Sequence, residues 1–183
     1  MSWSIAFGES DVSEELDEYL LALGKAIYLA CSFEKKCLWV VRIGKAVRHA
    51  QERRPEDPDI LSFLMKLDDS LLGRALRDLA TLPGVTAATM AVLDGARRAR
   101  NVIVHELGNI GPAYDVTSQQ LAEQGQRLAR ELDDLIAGDA CISEWCHWLD
   151  EKEPPPRNLV EAYPNLVRAW VFRHAQAGPP GAS

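Results

Sequence analysis

The sequence predicts an all-α fold, an antiparallel bundle of four to five main helices with a short C-terminal helical extension. Three observations carry this. Apolar residues recur at three- and four-residue spacing along most of the 183 positions, the period of a helix with one buried face. No segment shows the period-two alternation of a half-buried strand. The periodic segments are long and their connections short, which favours antiparallel neighbours.

The first helix opens after Asp11, an N-cap candidate with Glu14 three positions on. Leu16, Leu20, Leu23, Ile27, Cys31, Leu38 and Val41 mark its apolar face. It reads as one helix to about Glu52, or as two with a break near Gly24, and Pro55 and Pro58 end it. A second helix is predicted from about Pro58 to Leu82, on Ile60, Leu64, Leu67, Leu71, Leu72, Leu76 and Leu79, with Pro83-Gly84 as its stop. The third, about Thr86 to Glu106, carries Val92, Ala96, Ala99 and Ile103 as its core stripe; Gly108 and Gly111-Pro112 terminate it.

Thr117 and Gln120 form a capping box for a fourth helix to about Ala137, and Cys141 to Leu149 reads as a short fifth. Pro154-Pro155-Pro156 marks a stiff hinge. Beyond it, Pro164 to Ala175 is predicted as a short helix with Val167, Trp170, Val171 and His174 on one side. The expected division is a bundle of residues 1–153 and a unit of hinge, short helix and flexible tail over 154–183. There is no internal repeat.

Hydrophobic residues at 47% and charged ones at 26% are ordinary for a globular chain, so disorder is expected only near Gly178-Pro179-Pro180-Gly181. The net charge of −7 argues against a protein that coats nucleic acid non-specifically. Met1-Ser2-Trp3-Ser4-Ile5 has no basic segment of the kind that opens an export signal. The longest mostly apolar run, Leu20 to Phe33, contains Lys25 and falls short of the ~18 residues of a membrane span. Cys31, Cys37, Cys141 and Cys146 are too few for a disulfide scaffold. The expectation is a soluble, cytoplasmic protein with no membrane partner.

The chemistry concentrates in Arg100-Asn101-Val102-Ile103-Val104-His105, late in the third helix. Asn101 and His105, at i and i+4, share a helical face. Arg100 lies roughly 140° round the helix from His105, but its long side chain can curl back. Such a trio can hold a phosphate: a cation for the anionic oxygens, an imidazole to exchange a proton, and an amide to orient them. Arg98, Asn101 and His105, at i, i+3 and i+7, form a polar stripe. Arg97, Arg98 and Arg100 make one side of the helix strongly cationic. The competing reading is a solvated arginine face with His105 packed at a helix end.

This motif resembles the Arg-x4-6-His signature of the HEPN superfamily (higher eukaryotes and prokaryotes nucleotide-binding domain), many of whose members are metal-independent ribonucleases of toxin–antitoxin, abortive-infection and CRISPR-linked systems. The Arg-Asn dipeptide, Gly108 and the helical context sharpen the resemblance, and residues from about Glu14 to Leu149 would form the domain. It implies a helical bundle, no cofactor or metal, RNA as substrate, and a homodimer that pairs two motif helices. His105 would serve as general base on the ribose 2′-OH or as general acid for the leaving 5′-oxygen. Arg100 would neutralise charge on the phosphoryl oxygens, and Asn101 would orient the His or the phosphate. One HEPN toxin group carries a Tyr two residues after the His, where this chain has Leu107; Tyr114 lies too far along to replace it. Any antitoxin or regulatory partner would be a separate chain.

Glu34, in Cys31-Ser32-Phe33-Glu34-Lys35-Lys36-Cys37, is the second candidate, because many HEPN proteins set an acidic residue of an earlier helix against the motif. It would pair with Arg100 or hold the His tautomer; the alternative is a local pairing on its own helix. Arg42, Lys45, Arg48 and His49, with Arg53 and Arg54 beyond, form a ridge able to guide an RNA backbone. The alternative is a solvated face paired with the acidic Glu9–Glu18 region. Cys141, Cys146 and His147 lie on helical stretches rather than zinc knuckles, so buried thiols are the expectation. Trp145, Trp148 and Trp170 read as packing or interface residues.

Overall fold

The computed structural model describes residues 14–54, 57–65, 71–82, 84–109 and 116–173. Among the described residues six helices run in order: α1 (Glu14–Glu52), α2 (Ile60–Met65), α3 (Leu72–Leu79), α4 (Ala87–His105), α5 (Ser118–Glu151) and α6 (Arg157–Phe172). No strand occurs among the described residues, and the architecture is an all-α helical bundle. None of the helices described is long and apolar enough to cross a membrane.

α1 is one continuous helix. Gly24 sits on its exposed side, where a glycine costs only ~1 kcal/mol relative to alanine and does not break a helix whose other face is packed. Glu14, Glu15 and Asp17 in its first turn and His49 in its last complement the helix dipole. Leu16, Leu23, Phe33, Cys37 and Val41 give it a buried stripe along most of its length.

Cross-helix contacts fix the directions of the neighbours. Tyr19 on α1 donates to the Leu107 carbonyl just past α4, while Glu34, further up α1, meets Arg100, further back on α4; the two helices are antiparallel. Glu106 pairs with Arg127 near the start of α5, and Gly138 further along faces Ala96, so α4 and α5 are also antiparallel. Asp139 on α5 meets Tyr163, and Asp133 meets Arg168, which sets α6 antiparallel to α5. Lys25 on α1 donates to the Trp170 and Arg173 carbonyls at 3.0 and 2.8 Å, satisfying acceptors at the end of α6 that have no helical partner. Val171 of α6 is buried in the common core.

The observed elements differ from the expected ones at four points. The segment 58–82 is not one helix: α2 ends at Met65 and α3 starts after Leu71, whose φ −58°, ψ 146° is non-helical. The stripes Ile60/Leu64 and Leu72/Leu76/Leu79 are one residue, ~100°, out of phase. A single helix cannot lay both on α1, and Ile60 and Leu71 remain exposed. The stripe of α4 runs through Leu93, not Val92, for the same one-residue reason; Leu93, Ala96, Ala99 and Ile103 are buried and Val92 is exposed.

The predicted fourth and fifth helices are one, α5, running from the Thr117–Gln120 capping box to Lys152, whose φ of 63° and the prolines after it end the helix. Gly138-Asp139 is no break. A Cβ on Gly138 would stand 2.2 Å from that of Ala96, so the glycine lets α4 and α5 touch. α6 begins at Arg157 and carries Pro164 inside rather than at its start. Asp11, Pro55, Leu67, Pro83, Gly111-Pro112, Tyr114, His174 and the 178–181 tail lie outside the described residues.

Candidate functional site

The register of α4 places Arg100. Leu93, Ala96 and Ile103 face the core at three- and four-residue steps, and Arg100 falls between Ala96 and Ile103 on the flank of that stripe. Its side chain therefore runs along the α1–α4 seam instead of into solvent. Glu34 takes the matching place on α1, beside buried Phe33 and Cys37.

There Arg100 Nη2 donates to Glu34 Oε2 at 2.6 Å, and the two side chains are only 18% and 24% exposed. Arg100 Nη1 donates to Asn101 Oδ1 at 3.1 Å and lies 3.1 Å from His105 Nε2. A guanidinium has N–H donors and no acceptor. The second contact is thus a hydrogen bond only when Nε2 is unprotonated, with the imidazole proton on Nδ1. Arg100 Nε is buried with no hydrogen-bond partner, leaving one donor of the fork unused. His105 is exposed at the last position of α4, and the stretch after it is anchored through Leu107, which is fully buried and carries the carbonyl that Tyr19 grips at 2.8 Å.

Glu34, Arg100, Asn101 and His105 are thus assembled in one cluster from helices far apart in sequence. The other expected substrate contacts are not part of it. Lys45 pairs with Asp78 at 2.5 Å, and Arg48 donates to the Thr81 carbonyl at 3.2 Å; they tie α1 to α3 and to the turn after it. His49 contacts the Pro58 carbonyl at 2.8 Å and stacks on Phe63. Arg97 and Arg98 each bond one oxygen of Asp94 at 2.8 Å, a turn back from Arg100.

Sequence reasoning missed a second polar cluster. Asp139 is fully buried, and Lys36 Nζ donates to both of its carboxylate oxygens at 2.9 Å and to Ser143 Oγ at 2.9 Å. Tyr163 donates its hydroxyl to the same carboxylate, and burial together with that hydrogen bond pushes the phenol above its ordinary range. The network joins α1, α5 and α6. Its signal was the i,i+4 pair Asp139/Ser143 on an otherwise apolar helix face.

The four thiols are free. Burial pushes Cys37 and Cys141 up, and Cys146 up to about 11, so these are poor nucleophiles. No three His, Cys, Asp or Glu among the described residues are grouped to hold a metal ion.

Compared with known protein families, curated proteins and solved structures, the chain matches none. The geometry of its own residues carries the functional argument.

Proposed function

We propose that the chain is a metal-independent endoribonuclease of the HEPN type, a toxin or phage-defence effector that acts as a homodimer in the cytoplasm. The observation that carries this is Arg100 held between Glu34 at 2.6 Å and His105 Nε2 at 3.1 Å. A guanidinium held within hydrogen-bond reach of an imidazole suits phosphodiester transesterification. One His105 takes the proton of a ribose 2′-OH, and the 2′-oxygen attacks phosphorus. The P–O5′ bond breaks, and the partner's His105 protonates the departing 5′-oxygen. The products are a 2′,3′-cyclic phosphate and a 5′-hydroxyl. Arg100 stabilises charge on the non-bridging oxygens, with Glu34 and Asn101 holding its plane.

The composite site needs two α4 helices side by side. Ala88, Ala91 and Val92 on the outward face of α4 are exposed, and a Cβ on Gly95 would meet nothing within 4 Å. That small, apolar strip suits close approach by a second copy. Sedimentation of the purified chain tests it: a dimer is expected, and Gly95→Glu is expected to yield monomer.

Cleavage of a mixed RNA pool in EDTA is the direct test of activity. Cutting is expected from the unaltered chain and from neither His105→Ala nor Arg100→Ala, with fold and dimer retained. A catalytically silent, partner-docking bundle is the second reading. The exposed Tyr28, 71% accessible and edge-on to Trp170, favours it. No cutting of any RNA class by the intact dimer would select that reading.

A further inference from the structure

α3 and α4 differ in charge from the rest of this acidic chain. They carry Arg74, Arg77, Arg97, Arg98 and Arg100 against only Asp78 and Asp94. Asp78 is already engaged by Lys45, and Asp94 is shared between Arg97 and Arg98. Arg74 and Arg77 are exposed and have no ion-pair partner among the described residues.

The two helices meet along one line. The Arg97 side chain lies over Gly73, 3.9 Å from where a Cβ would stand, so the missing side chain on α3 leaves it room. Arg77 is one turn beyond Gly73 on the same side of α3, next to α4. Arg74 follows Gly73 on the outer side. From Arg97 and Arg98, the stripe through Asn101 reaches His105 in about 10 Å of helix rise. Guanidiniums therefore continue from the reactive cluster across the α3–α4 line, while Lys45 is paired with Asp78 and Arg48 is turned to the Thr81 carbonyl.

We propose that Arg74 and Arg77, with Arg97 and Arg98, form the track that holds the phosphodiester backbone of single-stranded RNA leading into the Arg100–His105 site. The assignment rests on the nuclease reading, and it moves the backbone contacts from the end of α1 to α3. Asp94 keeps Arg97 and Arg98 upright on α4. Among the described residues no carboxylate pairs with Arg74 or Arg77. The contact is with phosphate and carries no base preference.

The test is fluorescence anisotropy of a labelled single-stranded RNA with the full-length His105→Ala chain across a range of salt concentrations. Each phosphate contact to a single strand contributes roughly 0.7 to the slope of log affinity against log salt. Arg74→Gln/Arg77→Gln is expected to lower that slope by about 1.4, with an unchanged melting temperature. Arg157→Gln, at the exposed start of α6, is expected to leave it unaltered. RNA binding with the same slope in the double variant overturns the track but leaves the nuclease reading standing. Absence of any RNA binding overturns the track, and EDTA-resistant cutting by the unaltered chain then decides the nuclease reading on its own.

Discussion

Glu34 and Arg100 stand 66 positions apart in the chain and 2.6 Å apart in space, joined across the α1–α4 seam. Hydrogen bonds to charged groups contribute about 1.5–3 kcal/mol, and here the larger consequence is orientation: the fork that bonds Glu34 also meets Asn101 and His105.

Glu34 should behave as a positioning residue. Glu34→Ala is expected to lower kcat for RNA cleavage by up to ~100-fold, the scale of a misplaced catalytic group, with little change in KM. Glu34→Gln keeps an acceptor oxygen and should recover part of that loss. Equal losses in both variants would count against an orienting role.

Arg100→Lys should be nearly as inactive as Arg100→Ala. An ammonium is a point charge and cannot bond Glu34 and His105 through a planar fork. Single-turnover cleavage at matched protein concentration measures this, and retention of more than about a tenth of the rate would point to simple charge as the requirement.

Asp139→Ala removes the buried acceptor for Lys36, Tyr163 and Ser143. Breaking such a pair from one side typically costs about 3–5 kcal/mol, and urea denaturation should show a loss near the lower end, because Lys36 is partly exposed. The loss should come with looser packing of α6, read as faster amide exchange at Val167 and Val171.

Two glycines in helices should respond oppositely to alanine. Gly138→Ala forces a methyl into the Ala96 contact and is expected to destabilise by about 1–3 kcal/mol. Gly24→Ala meets nothing within 4 Å and should stabilise by ~1 kcal/mol. Melting temperatures of the two variants check the sign of each.

Thiol chemistry should separate the cysteines. Cys31 is exposed and should react first with a disulfide reagent near pH 8; Cys37, Cys141 and Cys146 should lag. For Cys146 the native pKa, about 11, exceeds the ordinary 9.0. Between those values the native state keeps a proton that the unfolded chain has lost, so stability falls as pH rises through this window. Urea midpoints from pH 8 to 11 should decline, and a flat profile would contradict the burial of these groups.

Much of the local structure was legible in the sequence because it depends on near neighbours. The bounds of α4, the capping box at Thr117 and the helical class follow from side chains three or four positions apart. The trio Arg100, Asn101 and His105 was legible for the same reason. Phase was not: Val92 and Leu93 are equally apolar, and only packing against α1 and α5 selected Leu93. That one-residue choice also turns Arg100 onto the seam.

The sequence by itself determined the all-α class and the placing of Arg100, Asn101 and His105 together late in one helix, since both are set by the local period and by residue type. Only the tertiary structure decided that Glu34 would meet Arg100, that Lys45 and Arg48 would be occupied by α3, and that Asp139 would be buried with Lys36 and Tyr163. Those pairings join helices across distances at which local periodicity carries no information. They form when the apolar stripes settle into one common core, and that settling fixes how each helix is rotated against its neighbours.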